Sequence, residues 1–294
     1  MAPTTATLTI AASWFLDNVD PGVVWATALV AGFGYALLSA KRESLNLREL
    51  YWGGVLGILF GLWGGHLLGF VYYGNDSGAW GWFRFWSGGQ AQFGNLAGGG
   101  LALALYMKVR RLPLLTYFDA IVPSLALGIS IGRIACFLNG DDYGTLSRLP
   151  WSVQFPPGTE AYADHLTRGW IGSKDALSLS VHPVQLYATL VWLAFFVILA
   201  AYRPGQAGLR LALFAILQGA GRFAEQLLRG DFQPILDPFS LTQLISLVLA
   251  AGGIGIWLHQ RRTIELESCS HCNAEAAPRS DTGSKWSGYN LIRP

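Results

Sequence analysis

Charge is what this sequence has least of. Asp, Glu, Lys and Arg make up 13% of its 294 residues, about half the share of an ordinary soluble domain. That scarcity excludes a chain folding as a water-soluble globule. Cysteine is scarcer still. Cys136 sits in an apolar run while Cys269 and Cys272 sit near the C-terminus, which excludes a disulfide framework. Met1–Pro21 lacks a basic n-region and does not read as a cleaved signal peptide. There is no internal repeat and no chain of intramembrane acids, which weighs against a transporter. The formal net charge is +2, and the basic residues are scattered at helix ends, so no surface for nucleic acid is formed. What is present in quantity is apolar: 52% hydrophobic residues with 36 Gly and 12 Trp, and a mean hydropathy of +0.37. The class is a polytopic helical membrane protein.

Apolar segments of membrane-crossing length, or nearly so, lie at 22–40, 50–73, 93–108, 117–138, 183–202, 209–227 and 238–258. The predicted fold is therefore all-α and polytopic, with about seven transmembrane helices in a membrane domain spanning residues 1–262. Seven spans place the termini on opposite sides. Lys41, Arg42, Arg48, Lys108, Arg110, Arg111, Arg203, Arg210, Arg261 and Arg262 fall on one side, against only Arg84 and Arg229 in the opposite short loops. The positive-inside bias then puts the N-terminus outside and the C-terminus in the cytoplasm. Segment 139–182 becomes one long outside loop, with too few hydrophobic residues for a core of its own, and reads as a small cap. The polar residues 263–294 read as a disordered cytoplasmic tail. Its Cys269-Ser270-His271-Cys272 is half of a zinc site with no second pair, and reads as reduced thiols.

Gly57, Gly61, Gly65 and Gly69 repeat at four-residue spacing in the second span, as do Gly128 and Gly132 in the fourth. Small residues so placed let helix backbones approach closely in lipid. The run Gly94-Asn95-Leu96-Ala97-Gly98-Gly99-Gly100 opens the third span. It suits either helix packing or a helix start offering backbone donors to an anion.

Chemistry concentrates in a few polar residues. Arg133 lies near the outer end of the fourth span, in Gly132-Arg133-Ile134-Ala135-Cys136-Phe137-Leu138-Asn139-Gly140-Asp141-Asp142-Tyr143-Gly144. An arginine at that depth is costly unless paired or facing a wet cavity, and its fork matches phosphate. A phospholipid head group is the ligand this suggests. Arg222 lies near the outer end of the sixth span, with Glu225 at i,i+3 able to pair with it or to orient it towards phosphate. His182, before Pro183 at the start of the fifth span, reads first as a cap. Gln185 and Tyr187 face either a cavity or the interface. His66 reads as a buried neutral histidine, and Asp119 as a structural partner for backbone or Arg111.

These residues resemble a known family, the phosphatidylglycerol:prolipoprotein diacylglyceryl transferases of the bacterial inner membrane. The family signature, approximately Gly-Arg-x-Gly-Asn-Phe-x-Asn-Gly-Glu-x-x-Gly, is similar to 132–144. His182-Pro183-Val184-Gln185-Leu186-Tyr187 is similar to the family's His-Pro-x-Gln-Leu-Tyr. Gly221-Arg222-Phe223 with Glu225, and then 239–246, resemble its last two spans. The resemblance implies transfer of a diacylglyceryl group from phosphatidylglycerol to the lipobox cysteine thiol of a preprolipoprotein signal peptide, with glycerol-1-phosphate leaving. It implies Arg133, Arg222 and Glu225 as catalytic residues, with the arginines on the phosphate. Asn139, Gly144, His182 and Gln185 would help bind substrate, and no metal or other cofactor is implied. Three positions depart from the family pattern. Phe93 stands where the family has a histidine, Cys136 where it has an asparagine, and Ala26, after Trp25, where it has a tyrosine. Two other readings therefore stand beside the transferase: a related membrane lipid transferase with a different acceptor, and a phospholipid-binding homologue without catalysis.

Overall fold

The computed structural model describes residues 19–73, 89–231 and 239–276, with side chains over 19–71, 89–231 and 239–263. The helices are α1 (Pro21–Arg42), α2 (Leu47–Tyr73), α3 (Gln92–Val109), α4 (Leu114–Asn139), α5 (Glu160–Thr167), α6 (Val184–Ala201), α7 (Leu209–Gln226) and α8 (Leu241–Ala276). Isolated bridges pair Gly144 with Arg229, and Leu146 and Val153 with Val181, in the loops around α5 and after α7. Each apolar segment of the sequence coincides with a helix, and the short α5 lies in the 139–182 loop. Among the described residues five helices are long and apolar enough to cross a membrane: Pro21–Arg42, Leu47–Val71, Leu114–Asn139, Val184–Ala201 and Leu241–Thr263. The other two expected spans, α3 and α7, have 18 residues each. In α7 the apolar pattern is interrupted by Arg210, Arg222 and Glu225. From residue 263 the expected tail continues α8 as far as Ala276, and residues 277–294 lie outside the described residues.

Everything is arranged around α4. Sixty-one per cent of its most apolar stretch is buried, against 17–28% in the other four crossing helices. It packs on α1, α6, α7 and, more lightly, α3. The outer helices expose apolar side chains such as Val30, Leu101, Leu190 and Val248, as a lipid-facing surface requires. Helix α1 starts where the Asp20 carboxylate accepts from Gly22 N at 2.6 Å, with Pro21 in the first turn. Helix α4 stops at Gly140, whose φ of +65° is a left-handed cap that a Cβ would strain.

The glycine stripe does what its spacing predicts. Helices α2 and α3 lie backbone to backbone: a Cβ on Gly61 would sit 3.1 Å from Asn95 O and one on Gly57 3.5 Å from Gly99 O, and off the stripe one on Gly64 would sit 2.5 Å from Gly94 O. Contact with α2 thus accounts for Gly94, Gly98 and Gly99, which favours the packing reading of that run. At the end with Glu49, its carboxylate takes a two-pronged bond from Arg110 (2.6 and 2.9 Å) and one from Tyr106, tying α2 to α3. Asp119 partners backbone, but not through Arg111. Its carboxylate accepts from Gly208 N and Leu211 N, each at 2.7 Å, and so caps α7 from the neighbouring helix. The loop after α4 has a small shared core of Tyr143, Val153, Phe155, Ala161 and Val181, built on Phe137 of α4 with Leu186 alongside. It borrows its hydrophobic support from the bundle.

Candidate active site

The left-handed turn at Gly140 sends the chain back across the end of α4, where three connections are laced together. Gly144 N donates to His182 O (3.2 Å), Thr145 N to Leu228 O (2.9 Å), and Gly230 N to Tyr143 O (2.9 Å). Gly144 also bridges Arg229. A Cβ there would fall 2.5 Å from His182 O and 2.6 Å from Val184 Cγ2, so only glycine lets the three segments meet. The family resemblance implies a part for Gly144 in substrate binding, and in the structure it holds this junction.

Beneath the junction lie three buried arginines. Arg133 is 5% exposed, Arg222 8% and Arg229 6%. Arg133 Nη1 donates to Asp142, while its Nη2 donates to Gln92 Oε1 at 3.0 Å and lies 3.0 Å from Glu225 Oε1. Arg222 Nη1 lies 2.9 Å from the same Glu225 oxygen. Glu225 therefore bridges the two arginines rather than orienting Arg222 alone. Arg229 grips Asp231 with Nε and Nη2 and pairs with Asp142 through Nη1. Burial alone would raise the Asp142 carboxyl. The charges of Arg229, Arg133 and Arg222 outweigh it and hold the group well below the usual carboxylate range. Charge is thus balanced within the cluster, but donors are not used up. Among the described residues Arg222 Nε is buried without a hydrogen-bond partner, and its Nη1 contacts Glu225 without hydrogen-bond geometry. Buried donors left open beside a carboxylate bridge are what an incoming anion requires.

Of the other residues expected at the site, Gln185 is fully buried and donates from Nε2 to Asp141 O at 2.6 Å. His182 is half-buried, with Nδ1 3.5 Å from Tyr187 Oη, and takes part chiefly through its backbone. Asn139 is exposed at the end of α4, its Nδ2 3.5 Å from Asp141 Oδ2 rather than on the arginines. His66 is buried in α2, its ring 6.4 Å from that of Phe70. Phe93 lines an open apolar groove between α2, α3 and α8 with Leu68, Val71 and Ile245, while its neighbour Gln92 reaches Arg133. Cys136 Sγ and a carboxylate oxygen from each of Asp141 and Asp142 lie within 4.8 Å of one another. Asp142 is already committed to two guanidiniums, so we assign this trio no metal.

Gln92, Asp142, Arg229 and Asp231 are members of the cluster that sequence reasoning passed over. Arg229 had a signal, the spacing of Arg222, Glu225 and Arg229 at i, i+3 and i+7. Gln92 had none beyond opening a short span.

The comparisons agree with the motifs. A sequence model of the prolipoprotein diacylglyceryl transferase family matches residues 20–259. A phosphatidylglycerol–prolipoprotein diacylglyceryl transferase of Clostridium tetani is 28% identical over 221 residues, 74% of this chain and 83% of its own length. Its namesake from Clostridioides difficile is 27% identical over 245 residues, 81% and 89% of the two chains. That from Gloeobacter violaceus is 32% identical over 202 residues, 64% and 68%. The match spans the first four crossing helices, most of the fifth and the arginine cluster, and the chain belongs to the prolipoprotein diacylglyceryl transferase family.

Proposed function

We propose that this chain moves the diacylglyceryl group of phosphatidylglycerol onto the lipobox cysteine thiol of preprolipoproteins, with the lipid phosphate held by Arg133 and Arg222. The observation that carries this reading is the convergence of two buried arginines on one oxygen of Glu225, with Arg222 donors still open. As the diacylglyceryl carbon–oxygen bond breaks, negative charge grows on the departing glycerol phosphate. Fixed cationic donors in a dry site stabilise that charge best. Glu225 holds both guanidiniums until the phosphate arrives, and Asn139, Gly144, His182 and Gln185 shape the mouth through which the acceptor enters. Purified protein in phosphatidylglycerol vesicles should attach a diacylglyceryl group to a lipobox peptide and should leave a cysteine-to-serine version of that peptide almost untouched. Lipidation of neither peptide, followed by mass spectrometry, would leave only a phospholipid-binding homologue.

The site's orientation follows from the same reading. Residues 1–262 form a seven-span domain of the bacterial inner membrane, with the signature and the 139–182 cap outside and the segment after Arg262 in the cytoplasm. The ten-to-two asymmetry of basic residues across the short loops supports it. Reporter fusions after Gly74 and after Arg111 should read outside and inside respectively, and the reverse pattern would put the arginine cluster on the wrong face for this account.

A further inference from the structure

We propose that Asp141 is the general base of the transfer, accepting the proton of the acceptor thiol; this rests on the transferase reading above. A thiol with a pKa of about 8.5 is only a few per cent thiolate at pH 7, so the transfer gains from a proton acceptor at the mouth. Phe93 cannot accept one. Glu225 and Asp142 each face two arginines, Asp231 is gripped by Arg229, and Asp164 by Arg168 and Tyr143. His165 is fully buried in the cap, where Nδ1 accepts from Leu179 N at 3.2 Å. Asp141 enters no ion pair among the described residues, and Glu160, the other unpaired carboxylate near the cluster, is exposed at the start of α5.

Its placement suits the task. Gln185 anchors its backbone carbonyl. Oδ2 lies 3.5 Å from Asn139 Nδ2 at the exposed end of α4, while Oδ1 is buried with no hydrogen-bond partner among the described residues. One side chain thus reaches from the mouth to the edge of the cluster, because Asp142, the next residue, is bound to Arg133. Burial raises the Asp141 carboxyl, and the charges of Asp142 and Glu160 push it further. The Cys136 thiol and Arg133 lower it only in part, and it settles at about 7. Two adjacent carboxylates driven apart in this way divide the work: Asp142 stays ionised among the arginines, and Asp141 exchanges protons near neutral pH.

In the step itself, the Asp141 carboxylate takes the S–H proton as the sulfur forms a bond to the terminal glycerol carbon of the diacylglyceryl group. The bond from that carbon to the phosphate oxygen breaks, and its electron pair leaves on the phosphate beside Arg133 and Arg222. Asp141 then returns its proton to the departing phosphate or to water.

The test is the pH profile of transfer to a lipobox peptide by the full chain in phosphatidylglycerol vesicles, for the parent, Asp141→Asn and Asp141→Glu. The parent rate should rise through pH about 7. Asp141→Asn should be slower by about 10²–10⁴-fold at pH 7 and should recover as pH passes the thiol pKa, while still binding phosphatidylglycerol. Asp141→Glu should keep most of the rate and move the limb. An Asp141→Asn enzyme with the parent rate and limb overturns the proposal while leaving the transferase reading intact. Should Asp141→Asn fail to fold, an unmoved limb in Asp141→Glu overturns it equally. A parent without transfer overturns both.

Discussion

Glu225→Gln is expected to lower stability by about 3–5 kcal/mol, the scale of breaking a buried ion pair on one side. Glu225 is 9% exposed and lies 3.0 Å from Arg133 Nη2 and 2.9 Å from Arg222 Nη1. Losing its charge strands Arg222, which has no other ion pair among the described residues, whereas Arg133 keeps Asp142. The amide has Glu225's shape, so packing hardly changes and the loss reports charge. Adding phosphatidylglycerol to the detergent-solubilised variant should restore part of the stability, because the lipid phosphate supplies the missing anion where it binds. Thermal or denaturant unfolding with and without the lipid measures both effects. A variant as stable as the parent would mean that the arginines do not depend on the bridge.

Arg133→Lys should cut phosphatidylglycerol binding at least about tenfold, the value of one charge-assisted hydrogen bond, and transfer by more. The guanidinium of Arg133 meets Asp142, Gln92 and Glu225 from two nitrogens, and an ammonium cannot hold that geometry and still present a fork to phosphate. Arg222→Lys should act in the same direction with less damage to the fold, since among the described residues Arg222 has one ion-pair partner and open donors. Binding is read by titration of the lipid into detergent-solubilised protein. Parent-like affinity in both lysine variants would make the arginines structural.

The helices were readable because a membrane leaves few choices: long apolar runs become helices, and each of the seven found its helix. Arg133 and Arg222 stood out because charge in such runs is expensive. Their meeting on Glu225 was half legible, since the i,i+3 spacing revealed one pair but nothing local revealed the other. Gln92 and Asp142 join the cluster only through folding, across intervals of 41 and 9 residues from Arg133. Asp119 was recognisable as a buried carboxylate needing partners, but the start of α7 that it caps is 89 residues away. Gly144 carried its motif but not its reason, which is the crossing of three connections visible only in space. The departures at Phe93 and Cys136 were plain in the sequence. Their consequence was not, because Asp141 gains its setting from Gln185 and Asn139 together.

The central claim is that the bond between diacylglycerol and phosphate breaks here and the lipid half goes to a thiol. Phosphatidylglycerol labelled separately in an acyl chain and in its phosphate distinguishes this from binding alone. Incubated with the parent protein and a lipobox peptide, the acyl label should appear on the peptide and the phosphate label in water-soluble glycerol phosphate, in equal amounts. Both labels remaining together on intact lipid would contradict the account.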